Sequence, residues 1–175
     1  MANKKYKRKK TTKSDESKKM GKIKHKKTEV DGIVFDSKME SEYYTYLKEL
    51  KAEGIVIDFK LQPEFLLQDK FIVICGQVIE GSHPDFLKLK RKYKVPITRA
   101  IKYKSDFEVY YADGHVEIVD TKGIETADFL IKKKMFEYKY PNLDLHIIIK
   151  EKEVWMPYAE YQKNKKLKKK EKVKV

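Results

Sequence analysis

The stretch YKSDFEVYYADGHVEIVDTKG at residues 103–123 predicts a β-hairpin that ends in charged residues. Apolar and polar residues alternate on both sides of Asp113-Gly114, a dipeptide typical of tight turns. Asp120 and Lys122 are two residues apart on the second strand, so we expect their side chains on one face of the sheet. That face is apolar along the strand and becomes charged at its end, which indicates a functional site.

The turn decides whether Asp106, at the start of the first strand, joins Asp120. A two-residue loop would pair Asp106 with Thr121 and place the two carboxylates on opposite faces. A type I turn over residues 111–114, with Gly114 in the left-handed region as a bulge, would pair Asp106 with Asp120. Both turns suit the sequence, and only the second one builds a site.

The segment before the hairpin predicts a helix over residues 37–52. At 100° per residue Glu40 falls within the apolar arc, whereas Glu42 and Glu49 fall on the polar side. A carboxylate on a packing face is costly unless it is paired, protonated or bound to a cation. Glu40 is therefore either a site residue or a residue at the margin of the stripe that reaches water.

The segment after the hairpin predicts a helix over residues 125–140 and a strand over residues 143–149 that is buried on both faces. Lys132 and Lys139 fall within the helix's apolar arc, which includes Ile131 and Tyr138. Lysines reach water easily from such positions. Lys132 lies nearer the helix start and is the better candidate to reach the hairpin's end.

The remaining segments complete a mixed α/β fold. Residues 28–35 predict a short hairpin, residues 55–67 one or two strands interrupted at Pro63, and residues 71–79 a further β segment. We also expect the first strand of the central hairpin to run from residue 102 to residue 111. Residues 81–99 are basic and show no periodicity that places them.

The charge of the chain is concentrated at its two ends. The chain has 175 residues, which suggests one domain, and a formal net charge of +14. Residues 1–27 carry 13 cationic and 2 acidic residues, residues 162–175 carry 8 and 1, and residues 28–161 carry 20 and 24. We therefore expect a folded domain over 28–161 between two disordered basic tails that attract polyanions such as DNA.

Several classes of protein are excluded by composition. The longest apolar run, the five residues 71–75, is far shorter than the roughly 20 residues of a membrane span. The first twenty residues are rich in lysine and have no apolar stretch of a secretory signal. Cys75 is the only cysteine, so it forms no internal disulfide. These features predict a cytoplasmic protein without a membrane partner.

Three carboxylates and a lysine at a strand end suit phosphodiester chemistry. Glu40, Asp106 and Asp120 can hold one or two Mg²⁺ ions, with Mn²⁺ as an alternative, and the Thr121 carbonyl is a further candidate ligand. Lys122 can position a water molecule or neutralise negative charge that develops on the phosphate.

These residues resemble a known family. Asp106 followed by Asp120-Thr121-Lys122 after a hairpin, and then a helix, resembles the PD-(D/E)xK nuclease superfamily, the restriction-endonuclease-like fold. Glu40 resembles the additional acid of several members. The runs KTEVDGIVFDSKMESEYY (27–44), LQPEF (61–65) and FEYKYP (136–141) resemble a small, uncharacterised phage and prophage family of that fold, over about residues 26–150.

The resemblance implies a Mg²⁺-dependent DNA endonuclease of phage or prophage origin, acting in a bacterial host cell in recombination, replication or repair. It implies Glu40, Asp106, Asp120 and Lys122 as the site, with Gln62 and Lys132 as accessory candidates. Many members of the fold are homodimers, so a homodimer is an expectation as well.

Two departures from the family pattern leave alternatives open. The first motif reads Ser105-Asp106 without a proline, whereas Pro84-Asp85 is a literal Pro-Asp in surroundings that predict a loop. Residues 76–100 exceed the family pattern and are a candidate insertion that shapes substrate choice. The alternative function is a non-catalytic nucleic-acid-binding protein that uses its basic tails. An acidic cluster that repels phosphate favours the nuclease.

Overall fold

The computed structural model describes residues 27–173, with the side chains of residues 27–169. The helices are α1 (Lys38–Ala52), α2 (Phe86–Tyr93), α3 (Ala127–Lys139) and α4 (Tyr158–Val173). The strands are β1 (Thr28–Val30), β2 (Ile33–Phe35), β3 (Val56–Leu61), β4 (Glu64–Gln68), β5 (Phe71–Ile74), β6 (Gln77–Glu80), β7 (Ile101–Lys104), β8 (Phe107–Tyr111), β9 (Val116–Thr121), β10 (Asp144–Glu151) and β11 (Val154–Pro157).

A five-stranded mixed sheet in the order β11-β10-β9-β8-β3 organises the fold. Its β3, β8 and β9 strands are antiparallel, β9 and β10 are parallel across α3, and β10 and β11 are antiparallel. The predicted α/β class with a mixed sheet is therefore confirmed. Consecutive residues of β9 enter different cores: Val119 packs with α1, and Ile118 packs with α3 and the first turn of α4.

Helix α1 has the face that its sequence predicts. Tyr43, Tyr44 and Leu47 are buried, and the hydroxyl of Ser37 caps the helix by accepting the Glu40 N–H at 3.1 Å. Glu40 itself is only 9% exposed. Its carboxylate therefore lies on the packing face and not at a margin that reaches water.

The hairpin β8–β9 has the second of the two candidate turns. The Gly114 N–H donates to the Tyr111 carbonyl at 3.0 Å, and Gly114 has a φ of +90°. Glycine adopts this conformation without steric cost. The ladder pairs Phe107 with Val119, so Asp106 lies opposite Asp120. The pairing of Asp106 with Asp120, which the turn with a bulge at Gly114 predicts, is therefore confirmed.

The prediction of one strand over residues 102–111 is wrong. β7 ends at Lys104 and pairs with β4 in a separate two-stranded sheet, whereas β8 begins at Phe107 in the main sheet. The partner segment bends at the same point, because Gln62 has a φ of +52° and Pro63 has no N–H to donate. Both neighbouring segments therefore leave the main sheet together.

The β segment predicted over residues 71–79 is confirmed as a hairpin, and the unplaced residues 81–99 contain a helix. β5 and β6 form an antiparallel pair, and α2 begins after Asp85, with Phe86 buried at 3% exposure. Pro84-Asp85 lies in the turn before α2, which confirms the predicted loop. The sequence did not predict this helix because Phe86 is its one buried residue, which leaves too few buried positions to show a helical period.

The predicted disordered tail over 162–175 is wrong for most of its length, because α4 continues to Val173. Tyr158 is buried and Tyr161 packs beside it, so the helix starts on the core. Lysine has good helix propensity, which allows the helix to continue away from the core. The predicted tail over 1–27 lies outside the described residues except for Lys27.

Helix α3 is rotated relative to its predicted face. Phe129 and Phe136 are buried, but Ile131 is 61% and Tyr138 is 91% exposed. The rings of Phe65 and Phe136 meet at a centroid distance of 4.9 Å, so β4 covers the helix together with the sheet. Contact with both β4 and the sheet therefore determines which residues of α3 are buried. None of the described helices is long and apolar enough to cross a membrane.

Candidate active site

Three of the predicted residues meet where the hairpin β8–β9 ends. Asp106 immediately precedes β8, Asp120 is near the end of β9, and Lys122 follows β9 directly. The Lys122 N–H donates to the Ile148 carbonyl at 3.0 Å, so pairing with β10 continues through this residue. The first turn of α1 brings Glu40 close enough for its charge to act on Asp106.

Asp120 is the most buried charged residue of this group, with 0% exposure. Its Oδ2 accepts a hydrogen bond from the Tyr103 hydroxyl at 2.5 Å. Its Oδ1 lies 2.7 Å from the Lys122 Nζ, within ion-pair distance. Tyr103 and Lys122 therefore hold the two oxygens of this carboxylate.

Lys122 is held between the carboxylate and an aromatic ring. Its Nζ lies 4.6 Å from the ring centroid of Phe129, at the start of α3, and its side chain is 26% exposed. A cation over an aromatic face gains electrostatic stabilisation. The ammonium group thus has a defined position and still reaches solvent.

Asp106 is held by Thr121. Its Oδ2 accepts two hydrogen bonds, from the Thr121 N–H at 2.7 Å and from the Thr121 hydroxyl at 2.8 Å. Burial, together with the charges of Asp120 and Glu40, raises the pKa of Asp106 to about 7, against the lowering effect of the Thr121 hydrogen bonds. The sequence predicted a carbonyl ligand at Thr121, whereas the contacts seen are made by its amide and hydroxyl.

Glu40 belongs to the helix cap as well as to the acidic group. Its Oε2 accepts the Asp36 N–H at 3.3 Å, while its own N–H donates to Ser37. The Ser37-x-x-Glu40 spacing is that of a capping box, a signal that sequence reasoning missed. Burial raises the pKa of Glu40, and the charges of Asp36 and Asp120 contribute in the same direction.

The two accessory candidates differ. The Gln62 N–H donates to the Asp106 carbonyl at 2.8 Å, so the backbone of Gln62 lies beside the site. The Lys132 Nζ lies 3.0 Å from Asp128, four residues earlier on α3. No contact among the described residues joins Lys132 to Asp106, Asp120 or Lys122.

Two residues near the site were missed by sequence reasoning. Tyr103 is 3% exposed and donates to Asp120, and Ser105 is 1% exposed with an Oγ that has no hydrogen-bond partner within the described residues. An unbroken strand over 102–111 gives no reason for Tyr103 to face Asp120. The break between β7 and β8 brings it there, so only the tertiary structure reveals it.

Comparison with known proteins identifies the family. A family model described as "Protein of unknown function (DUF1064)" matches residues 20–155. The chain belongs to this family. No curated protein and no solved structure matches it. The DUF1064 region contains Glu40, Asp106, Asp120 and Lys122, and it ends before α4 begins.

The donors of this DUF1064 site suit a hard cation, although they do not form a ready-made ligand set. Within residues 27–173 no three His, Cys, Asp or Glu side chains are grouped so that they could hold a metal ion. Carboxylate oxygens are nonetheless the ligands that Mg²⁺ prefers, and one or two of them suffice when water and phosphate complete the shell. The carboxylate oxygens of Asp106 and Asp120 are acceptors of this kind.

Proposed function

We propose that the protein is a divalent-metal-dependent DNA endonuclease with a PD-(D/E)xK-like core. The observation that carries the proposal is the buried Asp120, which has an ion pair to Lys122 and lies opposite Asp106 at the end of one hairpin. The order of elements also supports it: α1, the hairpin β8–β9, α3, and β10 parallel to β9. The resemblance of these residues to the superfamily implies the same arrangement.

The electrostatics of the site favour an added cation. Glu40, Asp106 and Asp120 place three carboxylates near one ammonium group, and the pKa values of Glu40 and Asp106 are raised by burial and by mutual repulsion. A positive ion between Asp106 and Asp120 would relieve this repulsion, and phosphate oxygens of the substrate would complete its coordination.

The residues of the chain have separate roles in this proposal. A divalent cation would supply an activated water and neutralise charge on the attacked phosphate. Thr121 holds Asp106 in place and Tyr103 orients Asp120, while Lys122 positions the water or stabilises the negative charge that develops. The water loses a proton to solvent as its oxygen bonds to phosphorus, the bond from phosphorus to the leaving 3′ oxygen breaks, and that oxygen takes a proton from solvent. A 5′-phosphate and a 3′-hydroxyl result.

The cellular setting of this activity rests on the family resemblance alone. We propose a phage-derived enzyme of the bacterial cytoplasm that acts in DNA recombination, replication or repair. A homodimer would allow two strands to be cut by two copies of the site.

The test is Mg²⁺-dependent cleavage of linear, flapped and four-way-junction DNA, with EDTA as the metal-free condition. Asp120→Asn should lower the cleavage rate by roughly a hundredfold or more, because it removes charge at the reacting centre. Asp144→Asn is the matched control, because Asp144 is an exposed residue at the start of the adjacent strand β10. Lys122→Met should also abolish cleavage, with the exposed Lys102→Met as its control.

Cleavage by Asp120→Asn at the wild-type rate would contradict the assignment of the site. The second candidate function is a nucleic-acid-binding protein without catalysis, which the exposed lysines of α4 favour. This candidate predicts that the wild-type chain binds every DNA structure and cuts none of them at any Mg²⁺ concentration.

A further inference from the structure

A lobe of the molecule, residues 63–105, begins and ends beside the candidate site. The chain leaves the main sheet at Gln62 and returns to it at Asp106, and the Gln62 N–H donates to the Asp106 carbonyl. At the base of the lobe the Ser105 N–H donates to the Pro63 carbonyl at 3.2 Å. Tyr103, also in the lobe, donates to Asp120. The base of the lobe is therefore in direct contact with the candidate site.

One segment of the lobe, residues 86–99, is strongly basic. It consists of α2 and the loop after it, and it carries six cationic residues and no acidic one. The other residues of 28–161 carry 14 cationic and 24 acidic residues. Within residues 28–161, α2 and its loop therefore have a net charge of +6, while the other residues together have a net charge of −10. The lysines of α4 form a separate basic segment beyond residue 161.

Five of the six cations of this segment have no ion pair within the described residues, and the sixth, Lys88, lies 3.9 Å from Asp85. Arg91, Lys94 and Arg99 are exposed, Lys90 is half-buried, and none of the four has an ion-pair partner among residues 27–169. They differ from the lysines of the main sheet and α1, which are paired: Lys48 with Asp31, Lys51 with Asp58 and Lys60 with Glu108. Unpaired cations are free to bind an external anion.

The segment is held by the fold and does not depend on these cations. Phe86 is buried at the start of α2, and the backbone groups of Thr98 and Phe71 exchange hydrogen bonds of 2.8 and 3.0 Å. Lys90, Arg91 and Lys94 line a shallow cleft beside Pro96. These three side chains can therefore be replaced without removing a core contact.

We propose that α2 and its following loop bind the phosphate backbone of duplex DNA and hold the duplex against the candidate site. This inference rests on the proposed nuclease function. The five residues of β4, which lead away from the base of the lobe, span about 17 Å of extended chain. Duplex DNA carries one negative charge per about 1.7 Å of axis, so a bound duplex presents about ten phosphates over that length.

The test measures binding of a 30-base-pair DNA duplex in EDTA as a function of salt concentration, so that cleavage plays no part. The triple variant Lys90→Gln, Arg91→Gln, Lys94→Gln should bind roughly tenfold or more weakly at 0.1 M salt. The slope of log K against log salt should decrease in magnitude by about 2 to 3, because each phosphate contact contributes about 0.9. A native circular dichroism spectrum and melting temperature establish that the variant is folded.

The matched control removes the same charge from paired lysines, with Lys48→Gln, Lys51→Gln and Lys60→Gln. It should change the slope by less than about 1, because these lysines are neutralised within the fold. Equal changes in the two triple variants would overturn the proposal, since they would reflect net charge alone. An unchanged slope in the α2 variant would overturn it as well.

Two further arms separate other polyanions from duplex DNA. Loss of binding to anionic phospholipid vesicles without loss of binding to DNA would assign the surface to a membrane and overturn the proposal. Loss of binding to duplex RNA alone would do the same. Because these measurements need no metal, a negative result here is distinct from the absence of cleavage that would refute the proposed nuclease.

Discussion

The end of hairpin β8–β9 and helix α4 are both rich in charge, but they differ in burial. Asp120 is fully buried and contacts two named partners, Tyr103 and Lys122. Helix α4 has seven lysines and two glutamates, and its described lysine side chains are exposed. Lys168, which pairs with Glu151 at 3.3 Å, is itself 61% exposed.

The number of charged residues in a region and the effect of changing one of them are therefore separate properties. A buried charge interacts through a low effective dielectric and depends on each partner, so a single change there has a large local effect. An exposed charge is screened by water and salt, so each change has a small effect and acts mainly through the total field. Single replacements should therefore have larger effects at the buried end of hairpin β8–β9 than on the exposed helix α4.

Replacement of Tyr103 by Phe should have the largest of these effects, because it removes the hydrogen bond to Asp120 Oδ2 and leaves this buried oxygen without a hydrogen-bond partner. We expect the Mg²⁺-dependent cleavage rate to fall by about 10- to 100-fold, the range typical of groups that orient a ligand. The apparent Mg²⁺ affinity should fall with it. A metal titration of the cleavage rate measures both quantities.

The matched control is Tyr111→Phe, which removes a similar hydrogen bond, from Tyr111 to Glu117 at 2.9 Å, elsewhere on the same sheet. A merely structural role for Tyr103 would lower stability without changing the Mg²⁺ dependence. That outcome would show that Tyr103 does not position Asp120 for metal binding.

Replacement of Asp106 by Asn should change how stability depends on pH. The folded-state pKa of Asp106 is raised from 3.8 to about 7, so between these values the folded state binds more protons than the unfolded state. The wild-type free energy of unfolding therefore loses up to about 1.4 kcal/mol per pH unit from this group as pH rises. Urea unfolding in EDTA should show that Asp106→Asn gains stability relative to wild type from pH 4 to pH 7.

Asp58→Asn is the comparison variant with the opposite sign. The hydrogen bond from Lys51 lowers the pKa of Asp58, so its contribution is present at neutral pH and is lost as pH falls through the lowered pKa. Asp58 is exposed, so screening keeps this contribution small. Parallel pH profiles for wild type and Asp106→Asn would contradict a repulsive acidic group at the site.

Replacement of Lys168 by Met should have the smallest effect. The ion pair between Lys168 and Glu151 lies on the surface, and such pairs stabilise proteins by about 0 to 1 kcal/mol. Urea unfolding should detect a change within this range, and added salt should reduce it further. A loss above about 2 kcal/mol would mean that α4 is held to the domain by its charges and not by Tyr158 and Tyr161.

Local patterns predicted the elements around the site well, and they failed where another layer intervenes. Helix α1 has the buried face that its wheel predicts, because its apolar stripe packs directly on the sheet. Helix α3 does not, since β4 also covers it and leaves Tyr138 in solvent. The same layer contains β7 and Tyr103, so the residue that orients Asp120 could not be identified from spacing.

Local patterns in the sequence predicted the mixed α/β class, the hairpin around Asp113-Gly114, and the placement of Asp120 and Lys122 on one face, because turn chemistry and strand alternation are local properties. They left open which turn forms at Gly114, whether Asp106 opposes Asp120 and whether Glu40 reaches water. The packed structure resolves these points, together with the break at Ser105-Asp106 and the helix over the lysines of α4. They depend on burial and register, which arise when segments distant in sequence pack together.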